Sequence, residues 1–270
     1  MEIRGSALVT GASRGIGRAV ALELADRGYD VLATMRNVED GADLPDRSGR
    51  RIQVRRLDVT DPTGIEIPDD LTVLINNAGA DGGHDPVEYA DLETWRDMFE
   101  VNVLGVVAVT RAAIPILKRN APGVIATVTS SSIFGIVPFY GAYRATKAAA
   151  SSLSETFRVE LAQFGIRVVE ILPGPIDTDM FQTSTGPMAA ERFADYRAMA
   201  QRSAAARAEH ADPMVQPVET AAAAIADAIA DDDGPMRYGC DPLGNGLLDL
   251  WRQSDDETMW QLMGKDMSGT

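Results

Sequence analysis

Apolar, β-branched residues recur in short runs along the chain, at 7–9, 31–33, 52–57, 71–75, 124–128 and 166–172. Most runs are continuous rather than alternating. A strand with one wet face carries a polar residue at every second position, so unbroken apolarity points to strands covered on both faces, as in a parallel sheet. The intervening segments change period. Residues 16–27 place Ile16, Ala19, Val20 and Leu24 on one helical face, and Gly28 closes the helix. Longer helices are predicted over 92–118 and 142–164, a further one over 218–230, and a last strand over 236–240. Strands alternating with helices in this way predict an α/β fold, a single doubly wound Rossmann-type domain with helices on both faces of a parallel sheet. Its expected extent is 1–240, with a polar, alanine-rich lid at about 177–217. The apolar C-terminal extension, 241–270, is expected to pack on the same domain.

Composition narrows the function. The 270 residues carry a net charge of −15, which disfavours nucleic acid and anionic membranes as partners, because both are bound through basic patches. One cysteine, Cys240, and two histidines, His84 and His210, leave little for a disulfide framework, a metal site or histidine catalysis, so no metal is expected. The N-terminal residues lack the apolar stretch of a signal peptide and no run of 18 apolar residues is seen, so a cytoplasmic protein without a membrane span is expected.

Candidate chemistry starts at the first strand–helix junction. Gly11, Gly15 and Gly17 enclose Ser13 and Arg14 and lead into Ile16 and the helix, an arrangement that brings backbone N–H groups and a positive helix end to a pyrophosphate. At the end of the second strand, the place of the carboxylate that accepts from the ribose 2′-hydroxyl of NAD is taken by Arg36. Arg14 and Arg36 suit a 2′-phosphate, so NADP(H) is expected over NAD(H). Farther on, Tyr143 and Lys147 stand four apart on a predicted helix and share a face. A nearby ammonium favours the phenolate, and with an oxidised nicotinamide it is expected to bring the phenol toward neutrality.

These segments, in their order, resemble the short-chain dehydrogenase/reductase family over about residues 5–240. The motifs that carry the resemblance are Thr10 to Gly17, Asp58-Val59, Asn76-Asn77-Ala78-Gly79, Asn102, Ser130, Tyr143 with Lys147, and Pro173-Gly174 with Thr178. The resemblance implies hydride transfer between a nicotinamide coenzyme and a small-molecule alcohol or carbonyl compound. It gives Tyr143 the role of general acid/base and Ser130 that of oxyanion partner. Lys147 would hold the nicotinamide ribose, and Asn102 a water leading to solvent. Asp58 and Val59 would meet the adenine, Asn77, Ala78 and Gly79 the ribose, and Pro173, Gly174, Ile176 and Thr178 the nicotinamide. Ser131 and Ser132 remain alternatives to Ser130. A homodimer or homotetramer, paired through the two long helices, is also implied.

Two departures stand out. Only seventeen residues separate Asp58 from Asn76, so the usual helical crossover there is expected to be short or irregular. Arg144 and Thr146 replace small residues without, on this reading, touching the reactive pair. Met180, Phe181, Met188, Phe193, Tyr196 and Met199, with Phe134, Phe139 and Tyr140 facing them, are either plain core or the lining for a bulky apolar substrate. The latter would be similar to steroid- and retinoid-handling members. A non-catalytic NADP-binding sensor on the same fold is the rival reading.

Overall fold

The computed structural model describes residues 5–46, 48–184 and 189–268. Seven strands form one parallel sheet: β1 (Ser6–Thr10), β2 (Asp30–Met35), β3 (Ile52–Arg56), β4 (Leu71–Asn76), β5 (Gly123–Val128), β6 (Ile166–Leu172) and β7 (Arg237–Gly239). Their spatial order is β3-β2-β1-β4-β5-β6-β7, and every pairing is parallel. The order reverses between β1 and β4. At that switch point the loops leaving neighbouring strands diverge and open a crevice at the strands' carboxyl ends.

Continuous apolarity was the right signal, because β1, β4 and β5 are buried at every position. One face of the sheet is covered by α1 (Gly15–Asp26) and α7 (Val218–Ala230), which enclose a core including Val20, Leu24, Val73, Ile75 and Ile225. The opposite core includes Leu8, Leu74, Val109, Leu117 and Ile125, together with Leu161 from α4 (Gly141–Ala162). The crossover between β3 and β4 is reduced to a single 3₁₀ turn, Pro62–Gly64, capped by Asp61. Ile65 and Ile67 pack on the second core in place of a full helix.

The helix expected over 92–118 is interrupted. It runs as α2 (Leu92–Phe99), a π-helical turn (Glu100–Leu104) and α3 (Gly105–Arg119). By length and composition alone, Leu92–Arg119 is long and apolar enough to cross a membrane, which the sequence reading overlooked. Val109, Ala113 and Leu117 instead bury their side chains in the second core. Past β6 lie α5 (Asp179–Ser184), α6 (Arg197–His210) and α7, then α8 (Pro242–Gln253). Asp241 caps α8 by accepting from Gly244 N at 2.9 Å. Its other oxygen accepts from Gly174 N at 2.6 Å, so the first residue past β7's turn braces the loop leaving β6.

Candidate active site

The glycine loop is built for close approach of backbone to backbone. Gly11 has φ of +66°, and a Cβ there would sit 2.8 Å from Ala78 Cα. Gly15 has φ of +56°, with Thr178 just beyond the space a side chain would fill. Both positions lie in the left-handed region, where only glycine is unstrained. The N-terminus of α1 has no side-chain cap, so its first N–H groups are open to an anion. Thr10 locks the neighbouring turn: its hydroxyl oxygen accepts from Asn77 N at 2.9 Å and from Ala78 N at 3.0 Å. Asn77 Nδ2 in turn donates to the carbonyls of Thr10 and Gly11. Asn77 therefore ties the two switch-point loops together through its side chain.

Arg14 and Arg36 are exposed, and Arg14 lies 3.5 Å from Asp179, an ion pair open to water. Asp58 accepts from the hydroxyl and N–H of Thr60, which hold its carboxyl below the usual range, with Arg36 adding a smaller effect. Val59 is buried in the core against the start of α3. Its side chain is thus spent on packing. Ile16 packs against the first core, and Ser13 is half-buried.

At the other side of the crevice, Ser130 ends the β5 loop and Tyr143 begins α4. The Ser130 side chain is a polar neighbour of the phenol and acts to lower its pKa. Ser132 Oγ donates to Ser130 Oγ at 2.9 Å, so of the three serines Ser130 meets the tyrosine and Ser132 supports it. Lys147 is 6% exposed; its Nζ lies 5.7 Å from the Tyr143 ring centre and donates to Val128 O at 3.0 Å. Pro173 and Gly174 stand opposite; Ser131 N donates to Pro173 O at 2.9 Å. Ile176 is buried and bridged to Gln216, and Thr178 Oγ1 accepts from Phe181 N at the start of α5.

Protonation differs from the sequence expectation. Burial pushes the Tyr143 phenol above its ordinary value, and Asp81 pushes it further, while the Ser130 hydrogen bond opposes them. Lys147 is lowered by burial to about 8, with Asp81 pulling upward. Desolvation dominates at the phenol, and the Lys147 ammonium is directed at a backbone carbonyl. The chain's own residues keep Tyr143 protonated.

Asn102, 1% exposed, occupies the π turn. Its Oδ1 accepts from Ala80 N at 2.7 Å, and its Nδ2 donates to Ala80 O at 2.8 Å and Thr146 Oγ1 at 2.9 Å. Thr146 Oγ1 donates to Tyr143 O at 2.7 Å. The Asn102 side chain is committed to protein partners. It clamps the loop after β4 to the helix carrying the reactive pair, and a π turn is a frequent device for such placement. Gly79 sits between, where a Cβ would lie 3.4 Å from both Asn102 Oδ1 and Lys147 Nζ.

Arg144 and Thr146 are also closer to the chemistry than expected. Arg144 Nε donates to Ser132 O at 2.8 Å, pinning the serine loop. Sequence reasoning missed Asp81 and His84 altogether. His84 Nε2 faces Asp81 Oδ2 at 3.3 Å, and its ring lies 4.2 Å from that of Tyr140, which is 6.5 Å from Tyr143. Of the apolar lid residues, Phe134 and Phe139 are buried, Tyr140, Phe181, Phe193, Tyr196 and Met199 are half-buried, and Met180 is exposed. Phe139 packs with Tyr196 and Met199, and Phe134 turns toward Leu172, Leu248 and Trp251. Met188 lies outside the described residues.

The short chain dehydrogenase family matches residues 6–188, which span the glycine loop, the serine and the tyrosine–lysine pair. The chain belongs to that family. It is an oxidoreductase that works with a nicotinamide coenzyme. Sulfoacetaldehyde reductase 2 of Chromohalobacter salexigens is 33% identical over 202 residues, 70% of this chain and 80% of that protein. A short-chain dehydrogenase from Streptomyces avermitilis is 31% identical, with a TM-score of 0.75 over 97% of both chains. Another from Burkholderia cenocepacia, solved in complex with NADP, is 28% identical, with a TM-score of 0.75 over 97% of this chain and 98% of that one.

Proposed function

We propose that the chain interconverts an alcohol with a ketone or aldehyde, using NADP(H), and that Tyr143 carries the proton. The observation that carries this reading is the grouping of the Tyr143 phenol with the Ser130 side chain and the buried Lys147, whose Nζ lies 5.7 Å from the tyrosine ring. A substrate carbonyl oxygen placed against both hydroxyls receives two hydrogen bonds that strengthen as negative charge develops on it. Tyr143, held protonated by its surroundings, then gives up its proton to the nascent alkoxide. In oxidation the same oxygen must first lose its proton, which the positive charge of an oxidised nicotinamide would favour. Asn102 and Thr146 hold the helix so that both groups face the crevice.

The coenzyme is NADP(H), and it supplies the hydride. The uncapped N-terminus of α1 and the glycine cradle fit a pyrophosphate. Arg14 and Arg36 offer charge to a 2′-phosphate, and no carboxylate stands at the end of β2 to repel one. The NADP held by the related Burkholderia protein supports the assignment. Gly79, Pro173, Gly174 and Thr178 are assigned to the nicotinamide half, with Asp58 toward the adenine. A homodimer paired through α2–α3 and α4 is part of the reading, supported by exposed Leu104 and Val159 on those helices.

Steady-state oxidation of NADPH and NADH with a panel of aldehydes and ketones tests the proposal. At least a tenfold preference for NADPH is expected, about 1.4 kcal/mol. It should vanish in Arg14→Ala/Arg36→Ala. Equal use of both coenzymes by the wild type would defeat the arginine assignment, and no turnover of any carbonyl or alcohol would defeat the catalytic one.

A further inference from the structure

Five buried side-chain atoms have no hydrogen-bond partner among the described residues: His84 Nδ1, Asp85 Oδ1, Thr127 Oγ1, Arg167 Nε and one terminal nitrogen of Arg207. Two of the five, on His84 and Arg207, lie beside Tyr140, and a third is on Asp85, next to His84 in the chain. His84 and Asp85 belong to the loop after β4, and Arg207 shares the Ser184 carbonyl with the Tyr140 hydroxyl. A buried polar atom left unpaired costs on the order of 1–3 kcal/mol, so such atoms gather where a ligand completes them. Building on the carbonyl-reductase reading above, we propose that His84, anchored by Asp81, determines specificity by accepting a hydrogen bond from a hydroxyl that the substrate carries beside its reacting carbonyl.

The geometry comes from the clamp described above. Asn102 grips both polar groups of the Ala80 peptide and Thr146 of α4, so Asp81, the next residue, is carried to the reactive pair. Asp81 is 10% exposed in its side chain, and Gly82 N donates to its Oδ1 at 2.9 Å. Its Oδ2 faces His84 Nε2. In a neutral imidazole the proton then belongs on Nε2, which leaves the Nδ1 lone pair as an acceptor. The His84 ring lies 4.2 Å from that of Tyr140, which lies 6.5 Å from that of Tyr143, so this acceptor belongs to the same side-chain cluster as the reactive tyrosine.

The neighbouring charges favour a hydroxyl over an ion. Asp85 gives its other oxygen to Arg192 at 2.8 Å, leaving Oδ1 as a second acceptor. Asp81 repels an anionic group. Arg207 is matched by Asp212 at 3.4 Å, and its spare nitrogen is a donor. Unpartnered acceptors on His84 and Asp85 and an unpartnered donor on Arg207 match a hydroxyl, which can give one hydrogen bond and receive another.

The test compares paired substrates, α-hydroxyketones against the same ketones lacking the hydroxyl, by NADPH oxidation. Wild-type enzyme should prefer the hydroxylated member at least tenfold in kcat/KM. His84→Ala should lose about tenfold to a hundredfold on that member and stay within about threefold on the other. His84→Asn, whose amide reaches the Nδ1 position, should restore part of the preference. Calorimetry of a vicinal diol against the NADP⁺-loaded protein gives a second readout, with weaker binding expected in His84→Ala. Equal loss on both substrate classes, or no wild-type preference, overturns the inference while leaving the carbonyl-reductase reading in place. Absence of turnover on every ketone overturns both.

Discussion

Helix α4 carries two buried polar clusters, one turn apart, and they are completed in opposite ways. Lower on the helix, Ser151 and Glu155 meet Glu170 of β6 and Arg237 of β7. Glu170 is 0% exposed; it accepts from Thr129 Oγ1 at 2.8 Å, Ser151 Oγ at 3.0 Å and Arg237 Nε at 2.8 Å. Arg237 continues to Glu155 at 2.6 Å. Each carboxylate oxygen of Glu170 has a partner. At the upper end, Tyr143, Lys147, Ser130 and the Asp81–His84 pair are largely enclosed, yet among the described residues His84 Nδ1 has no partner. A saturated cluster fixes structure, whereas an unsaturated one keeps hydrogen-bonding capacity for something that arrives.

Substitutions separate the two clusters. Tyr143→Phe keeps the ring and its packing but removes the proton. Its kcat should fall about 10³-fold, about 4 kcal/mol, with little change in thermal stability. A variant with near-normal kcat would strip Tyr143 of its assigned role. Glu170→Ala should do the reverse. It leaves the mostly buried Arg237 short of a partner and should cost on the order of 3 kcal/mol in urea unfolding, with kcat of the folded fraction unchanged. Loss of activity without loss of stability there would make the lower cluster part of the chemistry.

Asp81→Asn probes the electrostatics between the two effects. Asp81 raises the Tyr143 phenol, so its removal lowers that pKa. Oxidation requires the deprotonated oxygen and speeds up as pH rises through this pKa, so its alkaline rise should move to lower pH. Reduction requires the phenol, so its alkaline fall should move in the same direction. Profiles that stay in place would show that Asp81 does not act on Tyr143.

The legible part of this molecule is the part written in local pattern. Buried strands announced themselves by continuous apolarity, the anion loop by its glycines, and Tyr143 with Lys147 by a spacing that shares a helical face. Membership in the family followed from those pieces in order. Asp81, His84 and Asp241 carry no such pattern. They matter because Asn102 folds the β4 loop onto α4, and because the segment after β7 returns to Gly174. The π turn was equally invisible: an apolar run of that length reads as one continuous helix, and the extra residue in the turn shows only in the backbone. Burial raises the phenol in the chain by itself, and desolvation is a property of the packed molecule and not of the Tyr–Lys spacing.

Arg144 sits where the two kinds of information meet. By sequence it was an indifferent insertion between two reactive residues; in the fold its guanidinium reaches the carbonyls of Ser132 and Ile133 and is half-buried in doing so. Through Ser132 it sets where Ser130 stands against Tyr143, making it a positioning residue. Arg144→Ala should weaken kcat/KM about fivefold, about 1 kcal/mol, the value of one hydrogen bond. The loss should fall on kcat rather than KM, because a displaced Ser130 meets the developing charge on the oxygen less well than it meets the ground state. Arg144→Lys retains a donor of similar reach and should recover most of it. A loss confined to KM would mean that the loop shapes binding and leaves the oxyanion contact alone.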